Sequence, residues 1–107
     1  MASMSVPFDV SSTGGTLRLV ALVPLVASNI AALRAALKEH LGAAEQAVLL
    51  DLGHVELVDS LGIYLVVSLN KSCQERQVSF SVAGANAEVL RLFEFFGLNE
   101  VFDIREG

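Results

Sequence analysis

One short cluster in this chain combines side chains that could do chemistry with a position that has no side chain. Asp59, Ser60, Leu61 and Gly62 stand between a β-rich run and a long uncharged run. A carboxylate beside a hydroxyl suits a plain turn or helix cap, a nucleophile, or a hydroxyl that receives a phosphoryl group. The cluster alone leaves these three interpretations open.

A nucleophilic Ser60 would require a base within hydrogen-bond reach and a site for an oxyanion. The two histidines, His40 and His54, are predicted at a helix end and in a turn, and there is no Gly-x-Ser-x-Gly elbow. The sequence also lacks metal-ligand spacing and a glycine-rich phosphate loop with a lysine. We expect no enzyme activity, no catalytic residue, no metal and no cofactor. Esterase activity that is lost in Ser60→Ala would indicate a hydrolase instead.

The two remaining interpretations of Ser60 both place it at the start of a helix. Serine is a favoured N-cap residue, so a structural role alone explains its position. A phosphoserine carries about −1.5 to −2 charges at pH 7, and a helix N-terminus offers it free backbone N–H groups. The domain would tolerate that phosphate, whereas a partner surface shaped for a neutral hydroxyl beside Asp59 would not.

Size and charge narrow the class of protein. The chain has 107 residues, which suits one domain, and its net charge of −5 argues against direct binding of nucleic acid. Hydrophobic residues make up 53% of the sequence, so part of the apolar surface is predicted to contact partners. The single cysteine, Cys73, is interpreted as a small buried apolar residue.

The apolar segments are too short to predict insertion into a membrane. The longest uncharged run covers residues 19–33 and is interrupted by Pro24, whereas a spanning helix needs about 20 apolar residues. No secretory signal is visible, so we expect a cytoplasmic protein. Residues 1–5 are interpreted as disordered or as a cloning remnant, and residues 6–107 as the domain.

Strand and helix patterns alternate along the chain. The predicted order is strand 16–23, a helix from an N-cap at Ser28 to Leu41 with Gly42 behind it, strand 47–52 buried on both faces, a helix starting at Ser60, strand 78–84, helix 88–96 and a final strand 101–104. This alternation predicts an α/β fold with a mixed sheet of about four to five strands and three to four helices packed on it.

The last predicted helix carries an apolar face. Its members are Val89, Leu92, Phe93 and Phe96. Phe95 lies off this face, and a core position is favoured for it over a partner contact.

Two longer segments are similar to a known family. The segments "VLLDLGHVELVDSLGIYLVV" and "VSFSVAGANAEVLRLFEFFGLNEVFDI" resemble the STAS domains of bacterial anti-sigma-factor antagonists, over roughly residues 8–106. The segment 21–28 lacks the Gly-x-Leu-Asp-like turn that is common in that family, and Leu61 stands where a second serine is often found.

The resemblance implies a function for the cluster. Ser60 would be the phosphoacceptor, and Asp59, Ser60, Leu61 and Gly62 would form the partner-binding surface, with Gly62 letting a partner approach the helix start. The unphosphorylated chain would bind an anti-sigma factor that is also a serine kinase, and a serine phosphatase would reset it. The chain would be a monomer or weak dimer. The alternative is a constitutive STAS adaptor subunit of a lipid-transport ATPase complex, in which Ser60 would only cap a helix.

Overall fold

The computed structural model of the chain describes residues 6–105, so the interpretation of residues 1–5 lies outside the described residues. The strands are β1 (Phe8–Thr13), β2 (Thr16–Ala21), β3 (Ala47–Asp51), β4 (Ser79–Ala83) and β5 (Asp103–Arg105). The helices are α1 (Ile30–His40), α2 (Ser60–Glu75) and α3 (Ala87–Phe95). Short 3-10 turns cover Ala27–Asn29, Leu41–Ala43 and Leu98–Glu100.

The five strands form one mixed sheet in which the spatial order equals the chain order. β1 pairs antiparallel with β2, and β2 to β5 run parallel to one another. Each parallel pair is joined through a helix, and such crossovers are almost always right-handed. All three helices therefore pack on the same face of the sheet, and the predicted α/β class is confirmed.

The core lies between this face of the sheet and the helices. Alternate residues of each strand point into it, which is the period of two expected for a sheet with one covered face. Its most deeply buried side chains, all under 2% exposed, are Phe93, Leu17, Leu19, Leu25, Leu33, Leu50, Leu52, Val48, Val66, Val82 and Cys73. The prediction that Cys73 is a buried apolar residue is confirmed.

The prediction that strand 47–52 is buried on both faces was wrong. Val48 and Leu50 are buried, whereas Ala47, Leu49 and Asp51 on the opposite face are only partly covered. No helix packs on that face within residues 6–105, because the crossovers all lie on the other side. The continuous apolar run correctly predicted a central strand, but it did not show that helices cover both faces of that strand.

Strand β1 was missed from the sequence. Its alternation is weak, since only Phe8 and Val10 are apolar in "FDVSST". The pairing with β2 depends on Gly14 and Gly15, which form a two-residue loop with φ of 59° and 85°. Positive φ at both loop residues is the geometry of a tight hairpin turn that follows the twist of its strands. The glycines were recognised as a turn, but the edge strand before them was not.

The predicted ends of α1 were also wrong. Ser28 does not cap the helix, because it lies within the 3-10 turn that precedes Ile30. Asn29, the residue before α1, makes no side-chain cap; its amide Nδ2 instead donates to the carbonyl oxygen of Pro24 at 2.9 Å. Gly42 lies in the 3-10 turn after α1 rather than in a left-handed position behind it.

The apolar face of α3 is narrower than predicted. Val89 and Phe93 are buried and Leu92 is partly buried, but Phe96 follows the helix and is 48% exposed. Phe95 is 82% exposed, so the preferred interpretation of Phe95 as a core residue was wrong.

Candidate functional site

Helix α2 begins at Ser60 as predicted, but the residue that caps it is Asp59. The Asp59 Oδ1 atom accepts a hydrogen bond from the backbone N–H of Gly62 at 2.9 Å, the bond that an N-cap carboxylate makes with the third helical residue. Ser60 is therefore the first residue of the helix, and the interpretation of its hydroxyl as the cap was wrong. Aspartate is as favoured at the N-cap as serine, so residue propensity alone does not distinguish Asp59 from Ser60.

The second oxygen of Asp59 holds a different part of the chain. Its Oδ2 atom accepts from the backbone N–H of Ala27 at 2.9 Å, across 32 positions of sequence. The backbone N–H of Asp59 donates to the Leu25 carbonyl oxygen at 3.1 Å, and the Leu25 N–H donates to the Leu57 carbonyl oxygen at 3.1 Å. The loop after β2 and the segment before α2 are thus joined into one rigid junction.

These hydrogen bonds set the charge of Asp59. The N–H groups of Gly62 and Ala27 donate to the ionised carboxylate and lower the pKa of Asp59 below its ordinary value. The carboxylate is fully charged at neutral pH. Ser60 therefore sits beside a fixed negative charge whose two oxygen atoms already accept backbone hydrogen bonds.

Gly62 is needed for contact within the domain. It is buried, and a Cβ atom at this position would overlap the carbonyl oxygen of Leu25 and lie 2.9 Å from two further Leu25 atoms. Only a residue without a side chain lets α2 lie this close to the loop after β2. The prediction that Gly62 binds a partner stays a prediction, while the described contacts give its missing side chain an intramolecular reason.

Ser60 itself is exposed, and no side-chain hydrogen bond in residues 6–105 involves its hydroxyl. Exposed apolar side chains follow and precede it: Leu57 is 56% exposed, Leu61 48% and Tyr64 58%. We call Leu57, Ser60, Leu61 and Tyr64 the Ser60 surface. No histidine donates to or accepts from Ser60 in the described part of the chain.

A groove of about 530 Å³ lies between the segment that leads to Asp59 and helix α3. It is lined by Glu56, Leu57, Val58, Glu88, Val89, Arg91, Leu92 and Phe95. We call this cavity the α3 groove. No pattern in the sequence predicted this groove, because its two walls are separated by about 30 residues and meet only in the folded chain.

Asn86 holds the two walls of the α3 groove together. Its Oδ1 atom accepts from the Val89 N–H at 2.8 Å and caps α3, while its Nδ2 atom donates to the carbonyl oxygens of Val55 and Glu56 at 3.4 and 3.3 Å. Asn is a favoured N-cap residue, so its capping role could have been predicted. Its contacts with Val55 and Glu56 are long-range and could not.

The described residues contain neither of two other kinds of site. Across residues 6–105, no helix combines the length and the apolar character that crossing a membrane requires. In that same part of the chain, no cluster of three or more His, Cys, Asp or Glu side chains is placed to hold a metal ion.

These features define a small α/β domain that presents an exposed serine beside a capping aspartate at the start of its second helix. The chain belongs to the STAS domain family: the family model described as "Mlab, STAS domain" matches residues 8–106. The resemblance to STAS domains that the sequence indicated is confirmed.

Individual relatives agree with this assignment. The anti-sigma-B factor antagonist of Listeria monocytogenes is 34% identical over 56 residues, which cover 52% of this chain and 49% of the relative. The chain thus spans about half the length of the curated relatives it matches.

Solved structures share the fold at lower identity. A Thermotoga maritima protein described as an anti-sigma factor antagonist superposes with a TM-score of 0.85 at 21% identity, covering 94% of this chain and 86% of that one. The antagonist SpoIIAA in its unphosphorylated form has a TM-score of 0.65 at 16% identity, with 82% of each chain covered.

Proposed function

We propose that this protein is a phosphorylation-controlled interaction module that antagonises an anti-sigma factor. With Ser60 unphosphorylated it binds an anti-sigma factor that is also a serine kinase, and phosphorylation of Ser60 by that kinase releases it. A serine phosphatase restores the binding form. One observation carries the proposal: the Ser60 hydroxyl is exposed at the first position of α2, while Asp59 does the capping.

The domain can accept a phosphate at Ser60 without losing its fold. The hydroxyl makes no side-chain hydrogen bond in the described residues, so its modification breaks none. The phosphate would lie at the positive end of the α2 dipole, which favours negative charge. The capping carboxylate of Asp59 keeps its own partners, the N–H groups of Gly62 and Ala27. Modification should therefore change the surface and leave the core as it is.

A partner bound to the Ser60 surface cannot accept the phosphate as easily. Leu57, Leu61 and Tyr64 offer it an apolar contact area, and water is expelled when that area is covered. About −1.5 to −2 charges would then be desolvated beside the carboxylate of Asp59, which is already ionised. Repulsion and desolvation act together, so a local modification becomes a large change in affinity.

The relatives support the same role. The Listeria relative is named an anti-sigma-B factor antagonist, and the SpoIIAA structure is described by its phosphorylation state. Asp59, Leu61 and Gly62 are proposed to share the partner-binding surface with Ser60. We further propose that the protein acts in the cytoplasm as a monomer or weak dimer and catalyses no reaction itself.

The decisive experiment uses the candidate anti-sigma serine kinases of the source organism as purified probes. Isothermal titration calorimetry gives the Kd of each kinase for the wild-type chain, Ser60→Ala and Ser60→Asp. We expect Ser60→Ala to bind like the wild type and Ser60→Asp to bind at least about tenfold more weakly. Ser12→Asp is the charge-matched control, because exposed Ser12 lies on β1 near the hairpin, at the end of the sheet opposite the start of α2.

A kinase assay completes the test. A kinase that binds the wild type should transfer phosphate to Ser60, and mass spectrometry of the tryptic peptides identifies the site. Protein isolated from stressed and unstressed cells should also differ in Ser60 occupancy. If Ser60→Asp bound every kinase as tightly as the wild type, the switch would be the wrong mechanism.

A constitutive adaptor is the second candidate, since the description of the matching family names Mlab rather than an antagonist. In that role the apolar side chains of the Ser60 surface would bind a lipid-transport ATPase permanently. Stable co-purification with such an ATPase, unchanged by Ser60→Asp, would favour this function over the switch.

A further inference from the structure

Phe95 is the most exposed large apolar side chain of residues 6–105, at 82%. It stands at the rim of the α3 groove and meets the ring of Phe96 edge to face, with centroids 5.3 Å apart and planes at 89°. An exposed aromatic ring at the edge of a largely apolar groove resembles the anchors that carry most of the energy in protein interfaces. Within the domain, this ring covers little.

We propose that the α3 groove is a second contact for the anti-sigma serine kinase, occupied by an apolar side chain of that partner with a basic residue beside it. The inference rests on the proposed function, because it assigns the groove to the same partner. Two observations support that occupant: the groove is continuous with the Ser60 surface, and its lining residues include two acidic side chains and one basic side chain.

The continuity follows from the segment Glu56-Leu57-Val58, which forms one wall of the groove and leads directly into Asp59 and Ser60. Leu57 belongs to both surfaces. A partner that covers Ser60 and Leu57 therefore reaches the mouth of the groove without crossing another element. Asn86 fixes the second wall to this segment, so the cavity is formed before the partner arrives.

The acidic side chains at the rim of the α3 groove favour a basic residue on the partner, next to the apolar side chain that enters the groove. Glu56 and Glu88 face the groove with Arg91 as the one cation among its lining residues. Within residues 6–105 the ion pairs are Arg18–Asp51 and Arg105–Asp103, so neither Glu56 nor Glu88 takes part in an ion pair. A lysine or arginine on the partner would meet these carboxylates, which favours association and correct register.

Phe95→Ala tests the apolar contact. The ring is exposed, so its removal should leave the thermal midpoint nearly unchanged, while the Kd for the kinase that binds the wild-type chain rises at least about tenfold. Val101→Ala is the matched control, because Val101 is 52% exposed and does not line the groove. Equal affinity of Phe95→Ala and wild type, within about twofold by the precision of calorimetry, would overturn the inference.

Ser60→Asp, measured beside Phe95→Ala, separates this inference from the proposed function. Weak binding by Ser60→Asp together with normal binding by Phe95→Ala would refute the α3 groove as a kinase contact and leave the phosphorylation switch at Ser60 intact. The reverse result would refute the switch while the groove remained a contact. Chemical-shift mapping with the same kinase adds a direct readout, since backbone signals of residues 56–58 and 88–95 should move on binding.

Glu88→Lys tests the charge of the occupant. Glu88 is exposed in the first turn of α3, and reversing its charge should weaken kinase binding several-fold at low salt and less at high salt. Tighter binding by Glu88→Lys would mean that an acidic residue enters the rim, and the assignment of a basic neighbour would fail.

Discussion

Gly62→Ala adds one methyl group at the point where α2 lies closest to the loop after β2. The new Cβ would overlap the carbonyl oxygen of Leu25 and come within 2.9 Å of its carbonyl carbon and Cβ. Side-chain motion cannot relieve this overlap, because two of the three atoms that it meets belong to the backbone. Either α2 or the loop must move, and both are fixed by hydrogen bonds at the junction.

The size of the effect follows from opposing contributions. Overpacking a well-packed position costs about 1–3 kcal/mol. Displacing the loop would also weaken the two backbone hydrogen bonds of Leu25, each of which contributes about 0.5–1.5 kcal/mol. Alanine is the better helix former and offsets roughly 0.5–1 kcal/mol. We expect the free energy of unfolding to fall by at least about 1 kcal/mol, and by up to about 5 kcal/mol if both hydrogen bonds of Leu25 are lost.

Urea denaturation followed by circular dichroism measures this loss, which corresponds to about 4–8 °C in Tm for each kcal/mol in a domain of this size. Gly42→Ala is the control, because a Cβ there meets only the Arg76 guanidinium at an ordinary 3.6 Å. Gly42→Ala should therefore be neutral or slightly stabilising. If Gly62→Ala were as stable as the wild type, the close packing of α2 on the loop after β2 would be wrong.

Three further predictions concern the junction and the core. Ser60→Ala should change the free energy of unfolding by less than about 0.5 kcal/mol, because Asp59 rather than Ser60 caps α2; a loss near 2 kcal/mol in urea would contradict that assignment. Asp59→Asn should be less stable than the wild type at pH 7, since the side-chain amide cannot accept from both N–H groups. Because the folded state lowers the pKa of Asp59 from 3.8, the ionised carboxylate stabilises the fold above that pH. This stabilisation is lost as the pH falls through the lowered pKa. Urea titrations at pH 7 and below pH 3.8 should therefore show the gap between Asp59→Asn and the wild type shrinking with acid; a widening gap would refute this. Burial raises the pKa of the Cys73 thiol to about 11, so a colorimetric thiol reagent at pH 8 should label it only after unfolding, and rapid labelling of the native chain would contradict its burial.

The sequence predicted most of the sheet and the position of the cluster. Parallel strands and their helices have strong local patterns. The start of α2 at Ser60 could be predicted because an uncharged run follows two residues that favour caps, and the structure confirms it. Strand β1 was missed because an edge strand with two apolar residues has little periodicity of its own. Its pairing depends on tertiary contact with β2.

The details of the site required the folded structure. Whether Asp59 or Ser60 caps α2 depends on which side chain turns toward the Gly62 N–H, and local propensity allows either. The bond from Ala27 to Asp59, like the α3 groove, joins segments that are distant in sequence. The exposure of Phe95 also required the structure. An aromatic residue near an apolar stripe is usually buried, and only the observed packing shows that Phe95 is exposed.

The bond between Asp59 and Ala27 makes the Ser60 surface a conformational epitope, because a loop that is distant in sequence holds it in shape. A peptide of residues 56–67 contains every side chain of that surface but lacks the loop that fixes its helix start, and helices this short are marginal in water. Proteolytic fragments of the protein would therefore compete poorly with the intact domain for a partner. An antibody raised against such a peptide would recognise denatured chains better than the native protein.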